Sequence, residues 1–152
     1  ELNVAALTRL SHAALAAMVP RGRGWLLNVS SVASFQATPR LAVYAATKAY
    51  VTSLTEALHE EVRGTGVHVT ALCPGLTKTE FQSNSNTEGY ERDIPSIAWT
   101  SAEQVADEGL KDVASNRVIS VPGLQYKALV AASTVTPPFV KRVLSRVAQR
   151  LD

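Results

Sequence analysis

The residues of this chain with the clearest chemical potential are Tyr44 and Lys48, four positions apart, and Ser31, which follows an apolar run upstream. On a helix, residues four apart share one face, so the phenol and the cation would project side by side. A unit charge about 4 Å away is worth about 1 kcal/mol in water but about 4 kcal/mol at an effective dielectric of about 20. The cation therefore helps the phenol to release its proton only in a partly dry cleft. Beside a hydroxyl, this pair could protonate a carbonyl oxygen; the alternative is a surface Tyr and Lys on an ordinary helix.

The elements that would carry these residues alternate between helices and strands, judged by the period of their apolar residues. In chain order the predicted elements are a helix up to Pro20, a strand over 25–29, a helix over about 43–63, a strand over 67–72, a helix to about residue 115 opened by a capping box at Thr100 and Glu103, and a strand over 118–121. Strands separated by helices require parallel crossovers. We therefore predict an α/β fold, a parallel sheet with helices on both faces.

Polar and turn-forming residues stand where two of the predicted strands end. Ser30 and Ser31 close one strand, and Pro74 and Gly75 close the next. In open α/β sheets, ligands bind beyond the carboxyl ends of the strands. We therefore expect the site at this edge, with the polar segment over about 76–99 as a mobile lid.

Four stretches of the sequence resemble the short-chain dehydrogenase/reductase family. They are Asn3 in the opening helix, residues 28–31, residues 44–48 and residues 74–79. The resemblance is strongest over residues 1 to about 80, and it implies a Rossmann-like doubly wound parallel sheet. Residues 1–152 would form the second, catalytic half of that single domain, with about three strands. No Gly-x-Gly-x-x-Gly follows a strand here, so we expect the phosphate-binding turn to lie outside this chain.

The resemblance implies a role for each matching side chain. Tyr44 would be the acid in carbonyl reduction and the base in the reverse direction. Lys48 would favour the phenolate form of Tyr44 and bind the nicotinamide ribose, and Ser31 would donate a hydrogen bond to the substrate oxygen. Asn3 would hold a water in a proton relay to Lys48. Two alternatives remain open, namely Ser30 in place of Ser31 and Asn3 as a solvated helix residue.

The same resemblance implies that residues 74–79 bind the cofactor. Pro74 and Gly75 would form the turn, the backbone of Leu76 and Thr77 would face the nicotinamide amide, and Thr79 would reach the amide or the pyrophosphate. Thr77 stands where the family more often has a branched apolar residue. A plain turn that ends the strand is the alternative interpretation of Pro74 and Gly75.

We therefore predict an oxidoreductase that interconverts a carbonyl and a secondary alcohol with NAD(P). NADP is favoured, although the sequence does not decide between NAD and NADP, because the residues that would contact the ribose are not present. One alternative is a truncated or non-catalytic relative that binds a ligand or nucleotide. Another is the branch of sugar-nucleotide epimerases and dehydratases, which shares the Tyr and Lys but is opposed by the 74–75 turn.

Composition predicts a cytoplasmic domain with a sizeable core, since 46% of residues are hydrophobic and 18% are charged. The single cysteine, Cys73, excludes an internal disulfide and is expected to be a buried thiol. His12, His59 and His68 share no ligand spacing, so no metal is expected. Aromatic residues are sparse, so a nucleic-acid partner is not expected.

Two further surfaces are predicted from the sequence. The opening helix and the 43–63 helix carry small residues that would let them pack against a second copy, giving a homodimer or homotetramer as the resemblance implies. These residues are Ala5, Ala6, Ala13, Ala14 and Ala17 in the first helix and Ala45, Ala46, Ala49 and Ala57 in the second. A basic, amphipathic helix is predicted over about 137–151. It would either pack on the fold or touch anionic lipid weakly, which would bring the enzyme near a lipid-like carbonyl substrate.

Overall fold

The structure is a computed structural model, and it describes residues 1–38, 40–78, 95–137 and 140. Four α-helices and five strands lie in this part of the chain. In chain order they are α1 (Leu7–Met18, preceded by a π-helical turn at Leu2–Ala6), β1 (Gly24–Val29), α2 (Ala42–Glu61), β2 (Val67–Leu72), β3 (Thr77–Lys78), β4 (Thr100–Ser101), α3 (Ala102–Ala114), β5 (Ile119–Ser120) and α4 (Leu124–Val135). The alternation of helices and strands confirms the predicted α/β class.

Three of the strands form one parallel sheet in the order β1-β2-β5, and β3 and β4 form a separate parallel pair. The β1 and β2 strands run in full register from Gly24 beside Val67 to Val29 beside Leu72. Their carboxyl ends therefore meet at one edge of the sheet. The prediction of about three parallel strands with flanking helices is confirmed.

Alternate residues of β2 face the two sides of the sheet, as the strand period requires. On one side, Val69 is fully buried in a cluster with Leu15 of α1. On the other side, the ring of His68 lies 3.0 Å from the carbonyl of Val113, near the end of α3. A Cβ added to Gly109 of α3 would lie 3.1 Å from Leu72, so the glycine lets this helix approach the sheet closely.

The buried side-chain amide of Asn28 links β1 to two helices, α1 and α2. Asn28 exchanges hydrogen bonds of 3.3 and 3.4 Å with Ser11 of α1, and it donates to Thr55 Oγ1 of α2 at 3.1 Å. A buried polar group is costly unless it is paired, and here each partner lies on a different element. This network fixes the position of α2, and with it Tyr44 and Lys48, relative to the end of β1.

Two sequence predictions need correction here. The capping box was placed at Thr100, but Ser101 caps α3, and its Oγ accepts from the backbone N–H of Gln104 at 3.1 Å. The Thr100 hydroxyl instead donates to the carbonyl of Leu76 at 3.0 Å, a partner that no local pattern reveals. Ala45 was assigned to a surface for a second copy, but it is buried inside the chain.

The outer side of the opening helix stays accessible. Leu10 of α1 is 71% exposed, and Leu2 is exposed as well. Among the described residues, the stretch Leu2–Arg21 is the one helix whose length and apolar composition would allow it to cross a membrane. Two other kinds of helix pass the same test, namely the mostly buried core helix of a soluble protein and a signal sequence. In this stretch, 11% of the apolar window is buried.

Candidate active site

Tyr44 and Lys48 lie in the first two turns of α2, beside the carboxyl end of β1. The Lys48 ammonium lies 5.8 Å from the centroid of the Tyr44 ring. It also donates a hydrogen bond of 2.9 Å to the carbonyl oxygen of Val29, the last residue of β1. The helix spacing therefore brings phenol and cation together, and the strand end holds the cation in place.

Burial lowers the pKa of Lys48 below its ordinary value of 10.5, because an ammonium that is partly removed from water is less well solvated. The lysine therefore lies in the partly dry surroundings in which a nearby cation can act on a phenol.

Cys73 lies just beyond β2 as a buried thiol, as predicted. Burial raises its pKa, although the hydrogen bond with Thr52 acts in the opposite direction. A thiol with a raised pKa stays neutral and is a weak nucleophile. Its surroundings are therefore those of a structural residue.

Ser30 and Ser31 have different environments although they are neighbours. Ser30 is 2% exposed; its hydroxyl donates to the backbone carbonyl of Lys48 at 2.8 Å and lies 2.7 Å from Thr52 Oγ1. Ser31 is 9% exposed, and its oxygen accepts from the N–H of Ala33 at 3.2 Å. Because a hydroxyl that accepts can still donate its own proton, Ser31 retains a donor for a ligand. Ser30 serves the packing of α2 on β1.

Asn3 lies within the π-helical turn that opens the chain, so the regular helix is interrupted there. Its side-chain amide donates to Thr47 Oγ1 at 3.4 Å, and Thr47 in turn donates to the carbonyl of Tyr44 at 2.8 Å. Asn3 is thus held against the turn of α2 that carries Tyr44 and Lys48. Its relay role stays a prediction.

The turn after β2 lies next to the turn after β1. The N–H of Val32 donates to the carbonyl of Pro74 at 3.0 Å, so the two strand ends are tied directly. We call residues 74–77 the β2 turn. It lies where the sequence predicts a cofactor-binding backbone.

Both backbone groups of Leu76 already have partners inside the chain. Its N–H donates to the hydroxyl of Tyr126 at 2.9 Å, and its carbonyl accepts from the N–H of Thr100 at 2.9 Å and from the hydroxyl of Thr100. The Thr77 hydroxyl donates to the carbonyl of Gly75 at 3.1 Å. These bonds fix the shape of the β2 turn, so the expected cofactor contact of Leu76 would compete with partners that the fold provides.

Tyr126 is the residue at this site that the sequence did not reveal. It belongs to α4, which was not predicted as a helix, and it is 7% exposed beneath the β2 turn. Thr79 and most of the expected lid, residues 79–94, lie outside the described residues, as does the basic stretch 141–151. Within the described residues, no group of three or more His, Cys, Asp or Glu side chains is placed to hold a metal ion.

Comparison with known proteins places the matching region over this site. The family described as short chain dehydrogenase matches residues 1–89. An uncharacterised oxidoreductase of Myxococcus xanthus is 40% identical over 86 residues, which are 57% of this chain and 34% of that protein. The very-long-chain 3-oxoacyl-CoA reductase of Mus musculus is 30% identical over 112 residues, which are 74% of this chain and 33% of that protein.

The fold is also similar to that of solved structures. A short-chain dehydrogenase from Sphingobium yanoikuyae in complex with NADPH matches with a TM-score of 0.72 at 28% identity. The match covers 88% of this chain and 52% of the other. This chain thus corresponds to about half of that solved protein.

Proposed function

The chain belongs to the short-chain dehydrogenase family, and we propose that it is the catalytic part of an NAD(P)-dependent oxidoreductase that interconverts a carbonyl and a secondary alcohol. One observation carries the proposal. The half-buried ammonium of Lys48 lies 2.9 Å from the carbonyl of Val29 and 5.8 Å from the centroid of the Tyr44 ring. A cation in this position serves a phenol that must release and take up a proton.

The donors of this chain fit one end of a nicotinamide cofactor. Lys48 has three N–H donors and gives one to Val29, which leaves donors for ribose hydroxyls. The β2 turn would lie along the nicotinamide through the backbone of Gly75 and Thr77, and Thr79 would follow it. The glycine-rich turn that holds a pyrophosphate is absent from this sequence. We propose that it belongs to the rest of the protein and that this protein prefers NADP over NAD. The similar protein from Sphingobium yanoikuyae was solved in complex with NADPH, which supports the choice of NADP.

When bound, the reduced cofactor supplies the hydride. The side chains of this chain handle the oxygen and its proton. Ser31 donates a hydrogen bond to the carbonyl oxygen and stabilises the negative charge that develops there. Tyr44 transfers its proton to that oxygen, and Lys48 stabilises the phenolate that remains. Asn3 holds a water through which the proton is replaced from solvent.

For the substrate we propose a lipid-like carbonyl compound. The Mus musculus relative is named a very-long-chain 3-oxoacyl-CoA reductase, and its similarity reaches across 74% of this chain. A 3-oxoacyl thioester carries a ketone of the kind that Ser31 and Tyr44 would bind. Weak contact of residues 137–151 with anionic lipid from the cytoplasmic side would bring such substrates close.

The accessible helix faces favour assembly into a homodimer or homotetramer. Leu10 is largely exposed, and Ala13, Ala17, Ala46 and Ala57 are exposed as well. Covering apolar surface of this kind is favourable, and small residues allow close approach of helices. A monomeric mass by light scattering at micromolar concentration would contradict this part of the proposal.

The proposal is tested with the whole protein that contains this chain. NADPH and NADH are offered with 3-oxoacyl thioesters of increasing length and with simple ketones, and oxidation of the reduced cofactor is followed. A sugar nucleotide is incubated separately with the oxidised cofactor, and its products are separated by chromatography, because an epimerisation causes no net oxidation of the cofactor. We expect turnover of ketones with faster reaction of the longer acyl thioesters. Binding of cofactor without turnover of any carbonyl would favour the non-catalytic alternative. Epimerisation of the sugar nucleotide would favour the other enzyme branch.

A further inference from the structure

Tyr126 reaches from α4 to the β2 turn, and its ring packs directly against Gly75. A side-chain carbon added at Gly75 would collide with the ring atoms of Tyr126. The ring is 7% exposed and packs in the cluster that contains Cys73 and Val121. A glycine is therefore required at position 75, because the ring of Tyr126 occupies the space into which any side chain would project.

The hydroxyl of Tyr126 bridges two separate parts of the chain. It accepts a hydrogen bond of 2.9 Å from the N–H of Leu76 and donates one of 2.6 Å to the carbonyl of Ala98. Ala98 lies two residues before Thr100, which binds the carbonyl of Leu76. The hydroxyl of Tyr126 thus fixes the position of the β2 turn relative to α4, and it joins the turn to the segment that leads into β4.

Other bonds hold the start of α4 in place independently of this hydroxyl. Glu108 of α3 accepts from the N–H of Gly123 at 3.4 Å and pairs with Lys127 at 3.0 Å. The helix is therefore anchored to α3 on either side of Tyr126. Loss of the hydroxyl alone should free the β2 turn without releasing the helix.

We propose that Tyr126 is a positioning residue that holds the β2 turn at the place where its backbone meets the nicotinamide. This inference rests on the proposed function. A phenol suits the task because its ring is rigid and its hydroxyl both accepts and donates. Displacement of a reacting group by about 1 Å can cost about 10²-fold in rate. A restraint on the turn therefore affects the rate of hydride transfer more than the binding of the carbonyl.

The test compares Tyr126→Phe with Tyr50→Phe in the whole protein. Tyr50 is a matched control because its hydroxyl also has a hydrogen-bond partner, Thr8 Oγ1 at 2.7 Å, but lies on α2 away from the β2 turn. For Tyr126→Phe we expect kcat to fall about tenfold while the KM for the carbonyl changes less than about twofold. We also expect hydrogen exchange of the Leu76 amide to accelerate about tenfold or more. Tyr50→Phe should leave both quantities unchanged.

The exchange measurement separates this inference from the proposed function. Unchanged protection of the Leu76 amide in Tyr126→Phe would overturn the positioning role, whether or not the protein reduces carbonyls. If the Leu76 amide exchanges faster in Tyr126→Phe but kcat stays within about twofold of the parent value, the positioning role is overturned as well. If the parent reduces no carbonyl, the proposed function fails, and the exchange rate still decides whether Tyr126 holds the turn.

Gly75→Ala perturbs the same contact from the other side and keeps the hydroxyl. The added methyl group should push the ring away, so the losses in kcat from Gly75→Ala and Tyr126→Phe should not add. We expect the double variant to be within about twofold of the worse single variant. Full multiplication of the two losses would show that the residues act separately and would contradict the inference.

Discussion

The two strand ends that meet at the candidate active site are held in different ways. At the end of β1, Lys48 bonds to Val29 across 19 positions of sequence, and Ser30 bonds to the backbone of Lys48 across 18. At the end of β2, the turn is held by Tyr126, which stands 50 positions from Leu76. Ser31, Tyr44 and Lys48 therefore come from one local unit, while the backbone proposed to face the cofactor depends on a distant helix.

This difference implies that the two regions should respond differently to substitution. Substitutions of Ser31 or Tyr44 act on side chains that we propose to contact the reacting oxygen, so they should affect the chemical step. Changes around the β2 turn act through the position of the backbone, so they should lower the rate by a smaller factor.

After substitution of Tyr44 itself, the largest effect is expected for Ser31→Ala. The variant loses a hydrogen-bond donor to the charge that develops on the substrate oxygen, so kcat should fall about 10²-fold. Among the described residues, the Ser31 hydroxyl accepts one hydrogen bond, from the N–H of Ala33, so the free energy of unfolding should fall by about 1 kcal/mol or less. Steady-state kinetics and urea unfolding measure the two quantities. A rate within about threefold of the parent would remove Ser31 from the proposed mechanism.

Ser30→Ala is the matched control for that variant, and it should show the opposite pattern. Its loss leaves the buried carbonyl of Lys48 and the hydroxyl of Thr52 without this partner, so the free energy of unfolding should fall by about 1–3 kcal/mol. The rate should change less than in Ser31→Ala. A larger fall in rate for Ser30→Ala than for Ser31→Ala would assign the substrate contact to Ser30.

A smaller effect is expected for Thr100→Val in the other region. The substitution keeps the shape of the side chain but removes the donor to the carbonyl of Leu76, while the N–H of Thr100 still binds that oxygen. We expect a loss of about 1 kcal/mol in the free energy of unfolding and a smaller fall in kcat than in Tyr126→Phe. A fall larger than in Tyr126→Phe would make Thr100 the main support of the β2 turn.

The smallest effect is a dependence of stability on pH that arises from Lys48. Its pKa is lowered by burial in the folded state, below the ordinary value of 10.5. Between the folded and unfolded pKa values the unfolded chain binds more protons, so stability should rise with pH in this window. Relative to Lys48→Met, the parent should therefore gain stability as the pH rises toward the ordinary value, measured by urea unfolding at several pH values. A gain as the pH falls would contradict the assigned burial.

The sequence predicts the first region better than the second for a physical reason. Tyr44 and Lys48 share a face of a single helix, so their spacing alone indicates that they lie together. The partners of Tyr126 are backbone groups far away in sequence, and no periodic pattern connects them. The helix α4 was also missed because it begins after Gly123, whose φ of 88° gives a start with no side-chain cap.

Long-range partners also explain why the start of α3 was predicted one residue too early. Thr100 and Ser101 are both residue types that cap helices, and local sequence favours the capping box at Thr100. The buried Thr100 hydroxyl is instead taken by the carbonyl of Leu76, so Ser101 caps α3. Tertiary partners thus decide between neighbouring residues that local rules treat as equal. The proposed roles of Asn3 and Ser31 are predictions of the same kind, and kinetics will decide them.

The most direct test of the central claim is the turnover of Tyr44→Phe in the whole protein, with Tyr50→Phe as the control on the same helix. The substitution removes the proposed proton donor and keeps the ring beside Lys48. With the carbonyl that the parent reduces fastest, we predict a fall in kcat of about 10²-fold or more, and cofactor affinity within about threefold of the parent. Tyr50→Phe should react at the rate of the parent. A Tyr44→Phe variant that keeps more than about a tenth of the parent rate would contradict the assignment of Tyr44 as the acid.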